Sequence, residues 1–218
     1  MRVEIWADVV CPWCYLGKRR FEGALATFEH ADDVEVVYRS FELDPSAPAE
    51  RSEPLLGHLS AKYGISPAQV QAMQDRVSAL AADEGLTFHL ERARTARTFD
   101  AHRLIHLAGD LGLAPQMAER LFAAYFTEGM TITDTSTLVA LGEQVGVPAG
   151  RATAVLGSTQ YADRVRADQQ DAAALGITGV PFFVVDRRLA VSGAQPQQSF
   201  AELLSTARYQ EAASDLRI

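Results

Sequence analysis

The sequence predicts an α/β domain whose small sheet is assembled from both ends of the chain and is split by a large all-helical insertion. Three observations carry that expectation. Runs rich in β-branched and aromatic residues occur only toward the termini, at "VEIW" (3–6), "VEVVYRSFEL" (34–43), "VPFFVVD" and "RRLAVSG". Between about Leu55 and Leu175 the apolar spacing is helical and no strand pattern interrupts it. Two strands at either end are too few for two independent sheets, so both ends belong to one.

The elements follow in order. "VEIW" stops at the segment "CPWC", and an amphipathic helix is expected from about Pro12 to Phe28. There Cys14, Phe21 and Phe28 recur every seven residues, with Gly17 and Leu25 on the same stripe. The strand at 34–43 runs into "DPSAPAERSEP", whose three prolines make it a loop. In "SPAQVQAMQDRVSALAADEG", Ser66 is placed as the N-cap, Pro67 at the first helical position and Gly85 at the stop. Further helices are expected at 99–110, 115–126, 135–145, 149–156 and 159–175. After Gly176 the pattern reads strand, turn, strand, helix. The sheet domain is therefore assigned to residues 1–45 and 176–218, and the insertion to 46–175, its last helix being assignable to either.

The chain has 218 residues, 48% of them hydrophobic and 22% charged, with a formal net charge of −8. That is enough chain to bury a core without disulfide staples, and the negative charge disfavours a nucleic-acid partner. Glu4 and Asp8 interrupt the apolar residues of "MRVEIWADVVCPWC", so neither a signal-peptide core nor a membrane span is expected there, and cytoplasmic residence is. In a reducing compartment a cysteine pair is more often catalytic or metal-binding than structural.

The chain has two cysteines, Cys11 and Cys14, separated by Pro12 and Trp13. With Cys11 as N-cap and Pro12 at the first helical position, the Cys11 sulfur would face the free amides at the helix start, which favour a thiolate. Cys14, in register with Phe21, would be more buried. The expected division is an exposed attacking Cys11 and a buried resolving Cys14, a pair suited to thiol–disulfide exchange. Zinc is the rival: the pair supplies two of four ligands, and His102 and His106 share a helix face at i, i+4. Two inert packed cysteines are a third reading. The expectation is no metal and no resident cofactor beyond the cysteine pair itself.

Pro181, preceded by Val180, stands at the start of a strand. Either it is a trans proline that begins the strand, or it is cis and presents the Val180 backbone beside Cys11, ready to pair with an extended substrate. Trp13 and Tyr15 flank the thiols, as an aromatic substrate platform or as interdomain packing. Thr98 is placed as a helix N-cap. Arg94, Arg97 and His102 are candidates for lining the cleft between insertion and sheet, with His102 the substrate-binding candidate. Asp8, three residues before Cys11 and placed on the loop, either assists proton transfer or is solvated, and the solvated reading is preferred.

"DVVCPWCYLGKRRFE", "FELDP", "TFDAHRLIHLA", "GVPFFVVD" and "SGAQP", in this order, resemble the DsbA-like thioredoxin-fold oxidoreductases, in particular their FrnE-type cytoplasmic branch. The resemblance spans nearly the whole chain. It implies a thioredoxin fold, a mixed sheet flanked by helices with the helical insertion. It also implies Cys11 as nucleophile, Cys14 as resolving thiol and Pro181 as the facing cis-proline. Protein or peptide disulfides would be the substrates, with glutathione or a thioredoxin-like thiol as reductant. Two departures stand out: Ile5 occupies the place, six residues before the nucleophile, where related proteins often carry a buried acid, and Pro-Trp replaces Pro-His between the cysteines, which implies a weaker oxidant. The same fold also resembles the kappa-class transferases and 2-hydroxychromene-2-carboxylate isomerases. These generally place a serine at the Cys11 position and use glutathione, which here would dock at Val180 with its γ-glutamyl end near Ser192 or Gly193.

Overall fold

The computed structural model describes residues 1–50 and 52–215. Arg51, in the expected proline-rich loop, and residues 216–218 of the expected sheet domain lie outside the described residues. Four strands form one sheet: β1 (Arg2–Ala7), β2 (Glu35–Ser40), β3 (Phe182–Val185) and β4 (Leu189–Ser192), in the order β2-β1-β3-β4. β1 runs parallel to β2, which needs a crossover, and α1 (Pro12–Ala26) supplies it. β3 is antiparallel to both β1 and β4. The sheet is therefore mixed and drawn from both ends of the chain, as a thioredoxin fold requires.

Alternation along the strands sorts side chains to two faces. Val3 and Ile5 of β1 and Phe183 and Val185 of β3 meet Phe21 of α1 and Phe200 of α9 (Gln197–Asp215), with the Phe183 and Phe200 rings 4.6 Å apart. On the other face Trp6 and Val184 pack on Ala172 of α8 (Ala162–Ala174) and on Ile177. The last helix of the central block thus lies on the sheet.

Between β2 and α8 the chain forms α2 (Leu55–Tyr63), α3 (Pro67–Asp83), α4 (Phe99–Gly109), α5 (Ala114–Phe126), α6 (Thr135–Gln144) and α7 (Ala149–Leu156). α3 starts on the expected Ser66 N-cap with Pro67 in the first turn, and Gln69 completes a capping box that the sequence reading did not name. Two local expectations are corrected. α1 stops at Ala26, and Phe28 lies past its C-cap, because the Thr27 amide turns back to Ala24. Thr98 precedes α4 in a helical conformation, so its hydroxyl is not aimed at the first-turn amides and makes no cap.

α1 joins the two units. Tyr15 leaves the helix on the insertion side and stacks on Phe122 at 4.9 Å, its hydroxyl donating to Glu119 at 2.7 Å. Lys18, buried, pairs with the same Glu119. Arg20 donates to Glu84 at 2.6 Å and to the Ala194 carbonyl at 2.8 Å, tying the end of α3 to the loop after β4.

Asp168 of α8 organises the β2 side. Its carboxylate accepts from the Ser40 amide at 2.8 Å and from Arg39 at 2.9 Å, and lies 3.1 Å from His106 Nε2; its carbonyl accepts from the Trp6 indole at 3.0 Å. Burial alone would push this carboxyl up, but the His106 and Ser40 hydrogen bonds and the Arg39 charge hold it below the usual range. A folded value below the unfolded one means the contribution is complete above about pH 3.9 and is lost as pH falls through the folded value.

Asp168→Asn is expected to lower the unfolding free energy in urea by about 3 kcal/mol at neutral pH. That gap should narrow as the titration is repeated below about pH 4; a gap constant into acid would assign the loss to packing instead. Gly17 gives a second test. A Cβ there would sit 2.9 Å from Pro181 Cγ and 3.4 Å from Ala194 Cα. Gly17→Val should therefore cost about 1–3 kcal/mol by overpacking, and unchanged stability would show that the Pro181 loop yields freely.

Candidate active site

β1 delivers the chain to a tight turn. The Cys11 amide donates to the Asp8 carbonyl at 3.0 Å, and α1 begins at Pro12 with Cys11 as an extended N-cap residue. Pro12 occupies a first-turn position where an amide would have gone unpaired. The Cys14 amide returns to the Cys11 carbonyl at 3.0 Å, which closes the first turn and sets both sulfurs at the start of the helix. Both cysteines are free thiols.

The expected split into an exposed and a buried sulfur is corrected: Cys11 is 4% exposed and Cys14 1%. The cause is the segment before β3, which folds over the helix start. There the Val180–Pro181 peptide is cis, and the Cys11 thiol donates to the Val180 carbonyl at 3.6 Å. The Pro181 carbonyl accepts from the Gly193 amide at 2.8 Å. Gly193, at φ 82°, holds the left-handed conformation that glycine accepts without strain. Ser192 ends β4 opposite Phe182, so both residues considered for a γ-glutamyl end border the Pro181 segment.

The two thiols differ in environment rather than in exposure. Burial pushes the Cys14 thiol well above the ordinary thiol range, its hydrogen bond and charge interaction with Cys11 and the charge of Asp8 add to this, and the Asp8 backbone amide opposes it. These surroundings favour the protonated form of Cys14.

The aromatic neighbours separate. Trp13 is 43% exposed beside the thiols. Tyr15 is buried in the insertion core, which corrects its reading as a platform; two residues on a helix are turned far from each other. The cleft-lining residues are corrected too. His102 is 2% exposed because α4 is covered on nearly every side, so it faces no open cleft. Arg94 is spent on Ser52, and Arg97 lies over the Phe99 ring at 5.1 Å.

The histidine pair diverges. His106 Nε2 lies 3.0 Å from Ser40 Oγ and beside Asp168, whereas His102 faces Asp8. Among the described residues no group of three or more His, Cys, Asp or Glu side chains is placed to hold a metal.

Asp8 is the largest correction: it is 1% exposed, not solvated. Its Oδ2 accepts from the Leu43 amide at 2.7 Å and its Oδ1 lies 3.4 Å from His102 Nε2. Glu42, next to Leu43, is also buried. The sequence reading missed Glu42 altogether. The signal present was that "FELDP" and "TFDAHRLIHLA" carry charges inside otherwise apolar segments.

The chain matches the model of the DSBA-like thioredoxin domain over residues 2–205. It is 48% identical to a probable DsbA oxidoreductase from Streptomyces coelicolor, superposing with a TM-score of 0.91 over 95% of this chain and 89% of that one. YwbO, an uncharacterized protein of Bacillus subtilis, is 27% identical over 94% of this chain and 96% of its own length. The cytosolic disulfide reductase DsbM from Pseudomonas aeruginosa shares the fold at 16% identity, with a TM-score of 0.65 over 99% of this chain and 100% of that one. No helix among the described residues is long and apolar enough to cross a membrane. With the family model spanning the sheet, the insertion and the paired thiols together, the chain belongs to the DsbA-like thioredoxin-domain family of thiol–disulfide oxidoreductases.

Proposed function

We propose that this protein exchanges disulfides with protein or peptide substrates through Cys11 and Cys14, as a cytoplasmic oxidoreductase or isomerase of the FrnE type. The observation that carries the reading is the placement of the Cys11 sulfur at the start of α1, 3.6 Å from the Val180 carbonyl.

In the reductive direction the Cys11 thiolate attacks one sulfur of a substrate disulfide, the S–S bond breaks, and the second sulfur leaves as a thiolate that takes up a proton. Cys14 then attacks the Cys11 sulfur of the mixed disulfide and releases the other substrate thiol, leaving Cys11–Cys14 oxidised. The helix start favours the attacking thiolate. Val180 supplies main-chain groups against which an extended substrate adds as a strand. Trp13 offers an exposed aromatic surface to the same segment. A thiol, glutathione or a thioredoxin-like protein, restores the reduced pair, and no further cofactor is needed. The glutathione-linked isomerase and transferase reading is disfavoured because a protein thiol stands where glutathione would deliver its own, and the zinc reading because the two histidines face separate carboxylates.

Insulin reduction and refolding of a scrambled disulfide protein, run side by side, test the reading. Cys11→Ser should lose about 100-fold or more in both assays. Cys14→Ser should accumulate mixed disulfides through Cys11, visible as adducts on non-reducing gels, and Cys11→Ser should not. Equal trapping by the two variants would reverse the roles, and full activity without either thiol would sink the reading.

A further inference from the structure

A cleft of about 780 Å³ runs along the outer edge of β2, and Cys11, Cys14, Val180 and Pro181 take no part in its walls. Its size falls within the roughly 300–1,000 Å³ of ordinary ligand clefts. β2 is an edge strand, because the order β2-β1-β3-β4 leaves it one neighbour among the described residues. Its bonding direction follows from its ends. The Glu35 amide donates to the Met1 carbonyl at 3.0 Å and the Phe41 amide to the Ala7 carbonyl at 3.2 Å, so the odd-numbered residues bond to β1. The even-numbered ones turn their N–H and C=O groups outward. At either end those amides are engaged: Val34 donates to the Ala31 carbonyl at 3.1 Å and Ser40 to Asp168 at 2.8 Å. Between them Val36 and Tyr38 line the cleft, and among the described residues their outward amides and carbonyls bond to no other element.

The walls select what fits. Tyr38 sits opposite Ile5 and shares its core, so even-numbered side chains face the corner of α4 and α5, where Ile105, Ala114 and Pro115 line the cleft. Arg39 sits opposite Trp6, so odd-numbered side chains face α8, where Arg164, Ala167 and Asp168 form the other wall. One wall is apolar and the other polar. Each arginine at the cleft has a carboxylate: Arg2 lies 3.7 Å from Glu35, Arg39 2.9 Å from Asp168 and Arg164 2.7 Å from Asp110. No unbalanced charge is left there to draw an anion. The unpaired backbone groups recur at every second residue, about 7 Å apart, a spacing that another extended backbone matches. Natural edge strands are commonly blunted by proline, lysine or a bulge, yet "EVVYRS" contains no proline, glycine or lysine. Here the helical walls guard the edge instead. A second copy would bring its own α4 and α8 against them, whereas a lone strand brings only its own width.

We propose that this cleft is a docking groove for a single extended segment of another polypeptide, which adds antiparallel to β2 and lengthens the sheet. The segment carries apolar residues at alternate positions. Those opposite Val36 and Tyr38 exchange both backbone bonds with them and set their side chains against the corner of α4 and α5. The residues between them turn toward α8, where uncharged polar side chains suit a wall whose charges are already paired. The partner is therefore an unfolded or partly folded chain with a stretch of alternating β-branched residues. The groove goes beyond the thiol–disulfide reading and needs neither cysteine.

Titration of the isotope-labelled protein with the heptapeptide acetyl-KVTVTVK-amide, followed by NMR, tests the groove. At saturation the Val36 and Tyr38 amides should shift and exchange with solvent at least about tenfold more slowly, whereas those of Glu35 and Val37, already bonded to β1, should change little. The same peptide N-methylated at its valines lacks the donors and should bind at least about tenfold more weakly. So should two variants of the protein. Ala167→Trp fills the cleft from the exposed side of α8, and Val36→Pro removes an outward amide at a place where an edge strand tolerates proline. Cys11→Ser should bind as the wild-type protein does, so a failure of the thiol reading leaves this result standing. No saturable shift by about 1 mM peptide, shifts confined to Cys11 and Val180, or equal binding of the N-methylated peptide would overturn the proposal. Protection of Val36 and Tyr38 that rises with protein concentration alone would assign the edge to a second copy and overturn it as well.

Discussion

The geometry of the thiols depends on how closely α1 can approach the segment before β3, and that approach is set by the absence of a side chain at residue 17. One turn after Cys14, Gly17 lets the helix lie against Pro181 and Ala194 with no atom to spare. A helix-interior glycine costs about 1 kcal/mol in propensity, and the cost is offset by contact that brings the Cys11 sulfur to the Val180 carbonyl. From that contact follow the burial of both cysteines and the placement of the Val180 backbone. Arg20, on the next turn, holds the loop after β4 through the Ala194 carbonyl.

The insertion shares in the site. Its α4 brings His102 under the turn that carries Cys11, and its α5 brings Glu119 to Tyr15, Lys18 and Arg19 of α1. Burial would push the Glu119 carboxyl up, and Lys18, Tyr15 and Arg19 hold it down. α1, the helix that also holds the thiols, thus makes charged contacts with the insertion.

Much of the fold was legible because its signals are local. The β-branched and aromatic runs at "VEIW" and "VPFFVVD", the Ser66 cap and the change of period after Leu55 each act within a few residues. The same holds for Cys11 and Pro12, whose places at the helix start follow from the proline alone. What the sequence concealed depends on contacts between distant segments. Asp8 looks solvated until Leu43 and His102 close over it, and Cys11 looks exposed until Val180 arrives. Tyr15 shares its neighbourhood in sequence with Trp13 but not its direction in space, since each helical residue turns the side chain by about 100°. Phe28 extended the apolar period beyond a helix that the Thr27 turn ends. Pairwise spacing carried His102 and His106 together as ligands, whereas each finds its own carboxylate.

The depth of the Cys11 sulfur also acts as a filter on what can react. With the Cys11 residue 4% exposed, a disulfide lying flush in a folded surface would be poorly placed, because attack on it must come along the line of the bond to be broken. A disulfide on a strand free to peel away from its own fold can make that approach, and so can a small disulfide. Under the proposed exchange, selection would then rest on the pliability of the substrate's backbone more than on its side chains.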